Sequence, residues 1–262
     1  MLTLEVLICT IDDGIGNIVE HLLPPIPGIS YLISWQQSFP QQLENYAALR
    51  REDIRIVTLE GRGLSKNRNH ALAHAQGDLL LLADDDAEYK PEYFETIRES
   101  FETYSDAQIL TFQVATSNGK LLKSYAADSF LYQDRPKGTY VSSLEIVLRR
   151  EAPRPNFNVH FGLGSPYLSC GEEEIFIHEA YRKGAVIRYI PQVIVQTNEQ
   201  TTGKRFLTDV RVRRSKGAVL YYFHGYLGAI LRCAKYACTL PCHKFLFFKD
   251  MYDGIRYARK NI

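Results

Sequence analysis

Short apolar runs and helically spaced segments alternate through the first half of the chain. Runs at 4–10, 30–34, 54–59 and 78–83 read as strands, and Leu79-Leu80-Leu81-Leu82-Ala83 is apolar at every position, as a strand covered on both faces should be. Between them, 16–23, 64–75 and 91–104 have the spacing of helices, the last opening on Pro91, which the first turn of a helix accepts. This alternation predicts an α/β fold with a mainly parallel sheet flanked by helices. A further strand fits 108–115. From 118 to 166 the pattern loosens into short strands and loops rich in Gly, Pro and Asn, the kind of segment that carries substrate contacts on such a scaffold. A helix fits 173–183, stopped by Gly184, and a strand pair fits 186–196 around Pro191. The remainder reads as two or three helices rich in aromatics and Lys/Arg.

Composition adds little until the chain is divided. The 262 residues are 45% hydrophobic and 23% charged, with 31 Lys+Arg against 30 Asp+Glu. Those values exclude a disordered, collagen-like or disulfide-dense chain and disfavour a globally basic nucleic-acid binder. Residues 1–202 nevertheless hold 18 basic and 27 acidic side chains, a net −9, whereas 203–262 hold 13 and 3, a net +10. The near-neutral total is a cancellation. Cys9, Cys170, Cys233, Cys238 and Cys242 lack any C-x-x-C pair, which fits a reducing compartment. The first residues run straight into an apolar strand without a basic leader, so no signal peptide is expected. The longest apolar stretch, 218–231, is broken by His224 and two glycines and falls short of the roughly 20 residues that a membrane span needs. A cytoplasmic protein is expected.

Three elements carry candidate chemistry. The buried strand at 79–83 stops at Asp84-Asp85-Asp86. Ligands bind at the carboxyl edge of open α/β sheets, and a divalent cation with oxygen ligands would relieve the repulsion among three adjacent carboxylates. A solvated Asp-rich turn is the plainer alternative. The second element is the helix containing Ser65-Lys66-Asn67-Arg68-Asn69, where Arg68 shares a face with Leu64, Ala71, Leu72 and Ala75. A guanidinium in an apolar stripe must find an anion, either an Asp at the neighbouring strand end or a bound phosphate. The third is Gly171-Glu172-Glu173-Glu174. Glu173 falls in line with Phe176, Ile177 and Ala180 and is a candidate general base, whereas ordinary helix-start electrostatics accounts for Glu172 and Glu174.

In this order and spacing, these elements resemble the inverting GT-A-fold glycosyltransferases of family 2, bacterial members above all. The resemblance covers roughly residues 4–203. It rests on Thr10-Ile11-Asp12 after the first strand, the Ser65 to Asn69 segment, Gly77-Asp78, the Asp84-Asp85-Asp86 cluster, the Phe161-Gly162-Leu163-Gly164 run and Gly171-Glu172-Glu173. It implies a GT-A domain over 1–203 and a helical extension over 204–262. Thr10, Asp12, Arg68, Asp84 and Asp85 would bind a nucleotide-sugar donor. Asp86, with Asp84, would hold Mg²⁺ or Mn²⁺, and Glu173 would deprotonate a hydroxyl of a saccharide or lipid-linked acceptor. Two positions depart from the pattern. Ser34-Trp35-Gln36-Gln37 stands where many relatives read the base with an Asp, and Thr197 to Gly203 lacks a His-Pro found in look-alikes. Uracil is the default base. A nucleotidyltransferase and a non-catalytic carbohydrate-binding protein are the rival functions.

Other residues have plain alternatives. Trp35 reads as core rather than a stacking platform, His160 as hydrogen-bonded rather than an acceptor contact, and the cysteines of the tail as buried small residues. In the tail, Lys/Arg flank an aromatic-rich apolar segment, which suits an anionic membrane surface on the cytoplasmic side. A helix pair packed on the protein with a solvated basic face explains the same pattern.

Overall fold

The computed structural model describes residues 1–38, 46–198, 202–240 and 243–262, with the backbone alone at 202–204. The chain packs as two compact units. The first comprises Met1–Arg62, Lys66–Asn156 and Phe176–Glu199; the second comprises Gly63–Ser65, Phe157–Ile175 and Gln200–Ile262. The helical tail is thus packed with two earlier stretches of chain.

The first unit is built on strands β1 (Leu4–Ile11), β2 (Ile29–Gln37), β3 (Ile54–Glu60), β4 (Leu79–Asp84), β5 (Ile109–Thr116), β6 (Phe130–Leu131), β7 (Ile146–Arg149) and β8 (Ile187–Thr197). Among the described residues these form one sheet in the order β3-β2-β1-β4-β7-β5-β8-β6. The first four strands are parallel, β5 and β8 are parallel, and β7 runs antiparallel between β4 and β5. This is the expected α/β architecture. Helices α1 (Ile15–His21), α2 (Leu64–His74), α3 (Pro91–Thr103) and α4 (Glu172–Arg182) link the strands. The continuously apolar β4 is buried from Leu79 to Ala83, as a strand covered on both faces requires. Trp35 is also fully buried, confirming its place in the core.

Two elements differ from the sequence pattern. Residues 187–197 form one long strand rather than a pair. Its pairing with β5 slips beside Pro191, from Thr111 opposite Tyr189 to Gln113 opposite Val193, because proline cannot donate to the ladder. The four-residue β7 sits mid-sheet although it arises within the loop-rich stretch.

The second unit contains α5 (Val210–Thr239) and α6 (Lys244–Asn261). Gly225, at φ 66° and ψ −176°, interrupts α5. Residues 216 and 236 would stand roughly 30 Å apart on a straight helix, yet the Lys216 ammonium lies 5.5 Å from the centre of the Tyr236 ring. Gly225 therefore turns α5 back on itself into two arms, 210–224 and 226–239. Their packing on α6 is close: a β-carbon at Gly217 would stand 1.8 Å from the Met251 carbonyl oxygen, and one at Gly254 would stand 1.9 Å from that of Arg214. Arg213 donates to Asp250 at 2.7 Å and to the carbonyls of Phe206 and Leu207, so this buried ion pair is also hydrogen-bonded. No described helix is long and apolar enough to cross a membrane.

Candidate active site

In the parallel pair β1–β4, Cys9 is opposite Asp84, which brings Thr10, still within β1, beside Asp85, just past the end of β4. The Thr10 hydroxyl donates to Asp85 Oδ2 at 2.5 Å. A side chain at Gly14 would collide with both groups, its β-carbon 2.4 Å from Asp85 Oδ2 and 2.6 Å from Thr10 Oγ1. The turn after β1 thus has to be glycine for these two groups to meet. Asp12 opens this turn at φ 49°. Its carbonyl accepts from Trp35 Nε1, its carboxylate accepts from the Ser38 amide at 2.7 Å, and the exposed Arg62 lies 3.5 Å away. Asn67, buried on α2, donates to the Thr10 carbonyl at 2.9 Å, and among the described residues its Oδ1 has no hydrogen-bond partner.

Arg68, 2% exposed, donates to Ser143 Oγ at 2.7 Å and lies 3.4 Å from Asp84 Oδ1. The neighbouring strand-end Asp is therefore one of its anions, as the buried position on α2 requires. Asp85 is mostly enclosed, and burial raises its carboxyl above the usual Asp range; the Thr10 hydrogen bond opposes this, and repulsion from Asp84 and Asp86 adds to it. Burial also pushes the Cys9 thiol up to about 12, against the pull of Arg68, so Cys9 is a packing residue and not a nucleophile. Asp86 accepts from Asn198 Nδ2 at 3.4 Å. Asn198 begins the stretch in which the expected His is missing; residues 199–201 lie outside the described residues.

The three aspartates are directed to three partners, Arg68, Thr10 and Asn198. Among the described residues, no three His, Cys, Asp or Glu side chains gather into a ready-made metal cluster. Mg²⁺ in phosphate sites is commonly held by one or two carboxylates with substrate phosphates and water completing the shell. The hard oxygens of Asp86 and Asp84 at the strand end are a donor set of that kind.

Glu173 belongs to the second unit, in the first turn of α4. Here the structure corrects the reading of the helix face. Glu172 is the deeply buried carboxylate, 3% exposed, whereas Glu173 and Glu174 are half-buried. The Phe161-Gly162 turn closes over Glu172: a β-carbon at Gly162, where φ is 99°, would lie 3.1 Å from Glu172 Oε1 and 3.0 Å from Ser65 Oγ. Ser65 donates to the Phe161 carbonyl and the Leu64 amide to that of Leu163, so the Phe161 to Gly164 run is pinned to the start of α2. His160 shares a hydrogen bond with Tyr257 at 3.0 Å, in agreement with the structural reading. Cys233 is buried, Cys238 is exposed, contrary to its expected burial, and Cys242 lies outside the described residues.

Sequence reasoning did not single out Gly14, Asn67, Ser143 or Asn198. Asn67 was visible as the neighbour of Arg68, but Ser143 reaches Arg68 from 75 residues away and leaves no local signal.

Residues 34–150 match the family model described as Glycosyl transferase family 2. Over that segment, a little under half of the chain, the sequence is similar to glycosyl transferase family 2. The segment includes Arg68, Asp84, Asp85, Asp86 and Ser143, while Thr10, Asp12 and Glu173 stand outside it. No curated protein matches the chain in sequence. Among solved structures, the fold is similar to that of S. aureus TarS 1-349, with a TM-score of 0.58 at 15% identity over 99% of this chain and 74% of that one. TarS 1-349 in complex with UDP is similar with a TM-score of 0.55 at 14% identity, with the same coverage. A longer TarS structure gives 0.57 at 14% identity over 100% of this chain and 44% of its own. At these identities the likeness is one of fold.

Proposed function

We propose that this chain moves a sugar from a nucleotide-diphosphate donor, a UDP-sugar, to a hydroxyl of a saccharide or lipid-linked acceptor, with inversion, in the synthesis of a cell-surface polysaccharide. One observation carries the reading: buried Arg68 and Asp84, Asp85 and Asp86 meet at the carboxyl edge of a parallel sheet, where open α/β folds bind ligands. The UDP complex of the structurally similar TarS supports uridine as the nucleoside.

In this proposal Thr10 and Asp12 lie against the nucleotide. Arg68, held in place by Ser143 and Asp84, faces the diphosphate and stabilises the charge that grows on it as the sugar departs. Asp86 and Asp84 would hold Mg²⁺ or Mn²⁺, which when bound neutralises charge on the leaving diphosphate. Glu173 takes the proton of the acceptor hydroxyl as its oxygen attacks the anomeric carbon from the face opposite the leaving group. Peripheral attachment to the cytoplasmic face of a membrane would bring the protein to a lipid-linked acceptor.

A panel of nucleotide sugars with Mn²⁺ or Mg²⁺, scored by thermal stabilisation and slow donor hydrolysis, tests the reading. A UDP-sugar should raise the melting temperature and be hydrolysed. If no nucleotide sugar does either, the donor assignment falls.

A further inference from the structure

The second arm of α5 is amphipathic in the reverse of the usual sense. Its fully buried positions are small, Ala229, Cys233 and Ala237 at i, i+4 and i+8, with Tyr226 and Ile230 partly buried beside them. The opposite side presents Leu227 and Leu231, 74% and 70% exposed. Just past the end of this arm, the first turn of α6 presents Phe245 at 83% and Leu246 at 47%. Single exposed leucines are ordinary, but large apolar side chains in solvent on a helix whose fully buried positions are all small mark a contact surface.

The charges within the stretch that carries these residues have one sign, with Asp253 just beyond it paired to Lys249 at 3.2 Å. From Val210 to Lys249 the sequence has eight Lys/Arg and no Asp or Glu. Arg232, Lys235, Lys244 and Lys249 are exposed, while Arg213 is buried against Asp250.

We propose that this surface seats on an anionic lipid bilayer, with Leu227, Leu231, Phe245 and Leu246 entering the boundary between headgroups and acyl chains and Arg232, Lys235 and Lys244 meeting headgroup phosphates. A second copy of the chain is the poorer occupant, because a two-fold interface would bring like charges face to face. A nucleic acid would satisfy the cations but give the four apolar side chains nothing to bury against. The inference deepens the membrane attachment proposed above. It is tested without donor or acceptor, so its failure is read separately from failure of the transferase reading.

The experiment is co-sedimentation of the full chain with vesicles of phosphatidylcholine alone and of phosphatidylcholine with about one third phosphatidylglycerol. Wild type should pellet with the anionic vesicles at low salt and be released as salt rises toward roughly 1 M, where the Debye length is about 3 Å. L227E/L231E should cut binding roughly tenfold or more by removing buried apolar area, and K235E/K244E should cut it while leaving the leucines in place. Circular dichroism melting confirms that each variant is folded, the second serving if the first is not. Wild type that stays in the supernatant with anionic vesicles overturns the proposal, as does wild-type binding by both variants. So does light scattering that shows L227E/L231E separating a dimer with no vesicle binding by either protein. Retention of a DNA oligonucleotide by wild type and L227E/L231E alike, again without vesicle binding, overturns it too.

Discussion

The sheet edge of the first unit and the helical arms of the second hold opposite kinds of neighbour together. At the edge, carboxylates that repel one another are each assigned a donor: Asp84 takes Arg68, Asp85 takes Thr10, and Asp86 takes Asn198. In the arms, backbone meets backbone, with glycine hydrogens where any side chain would overlap a carbonyl, and the buried pair of Arg213 and Asp250 is satisfied by hydrogen bonds. The edge is therefore tuned by electrostatics and can be changed without unfolding the protein, whereas the arms are fixed by shape and tolerate almost no added volume. Stability and activity should respond differently to substitution in the two places.

The largest expected effect sharpens the role assigned to the start of α4. Glu173→Gln should lower turnover by about 10³-fold, within the usual range for removal of a general base, with donor-induced stabilisation retained. Glu172→Gln, at the buried neighbour, should lower the melting temperature with a smaller loss of turnover. Should the two variants exchange these behaviours in steady-state and melting measurements, the base is Glu172.

Next in size is the test of shape. Gly217→Ala forces a methyl group into the Met251 carbonyl and should destabilise the arms by about 3 kcal/mol, measured by denaturant unfolding. A loss below about 0.5 kcal/mol, the ordinary scatter of surface substitutions, would mean that the helices separate easily and that the contrast drawn here is wrong.

Arg68→Lys probes the edge. Lysine keeps the charge but not the planar fork that reaches both Ser143 and Asp84. Stability should fall by about 2 kcal/mol, as for a hydrogen bond to a charged group, and donor-induced stabilisation should fall with it. Unaltered donor binding by Arg68→Lys would remove Arg68 from the diphosphate.

The smallest effect has the opposite sign. Burial holds the Asp85 carboxyl above its ordinary value of 3.8, so the folded protein favours its protonated form. The stability that this group contributes is full below the unfolded value and is lost as pH rises through the raised folded one. Asp85→Asn should therefore melt above wild type at neutral pH, with the gap closing as pH falls toward 3.8. A gap that is constant across a pH series of melts would show that Asp85 does not titrate as its burial implies.

Much of the first unit was legible in the sequence because its main strands are short, mostly apolar runs, continuous in β4 and interrupted in β1 and β3, and a run needs no distant information to be read. The carboxylates at the end of β4 and the arginine within the apolar face of α2 were legible for the same reason: both are violations of a local pattern. What escaped depends on distance or on rotation. β7 has four residues, and its sheet neighbours β4 and β5 lie more than thirty residues away, so nothing nearby marks Ile146–Arg149 as central. Ser143 and Asn198 join the edge only through tertiary contact. Glu172 and Glu173 differ by one step of about 100° around a helix, and the Phe161-Gly162 turn that covers Glu172 decides between them.

Gly225 also bears on membrane topology. A straight thirty-residue α5 would extend about 45 Å, enough to cross the roughly 30 Å hydrocarbon core, whereas arms of fifteen and fourteen residues reach only about 22 and 21 Å. The bend removes the option of spanning by length, independently of hydropathy. That outcome rests on one backbone angle. With φ at 66°, every L-residue other than glycine is strained there, so replacement of Gly225 by a good helix former such as leucine is the single change that most favours the straight alternative.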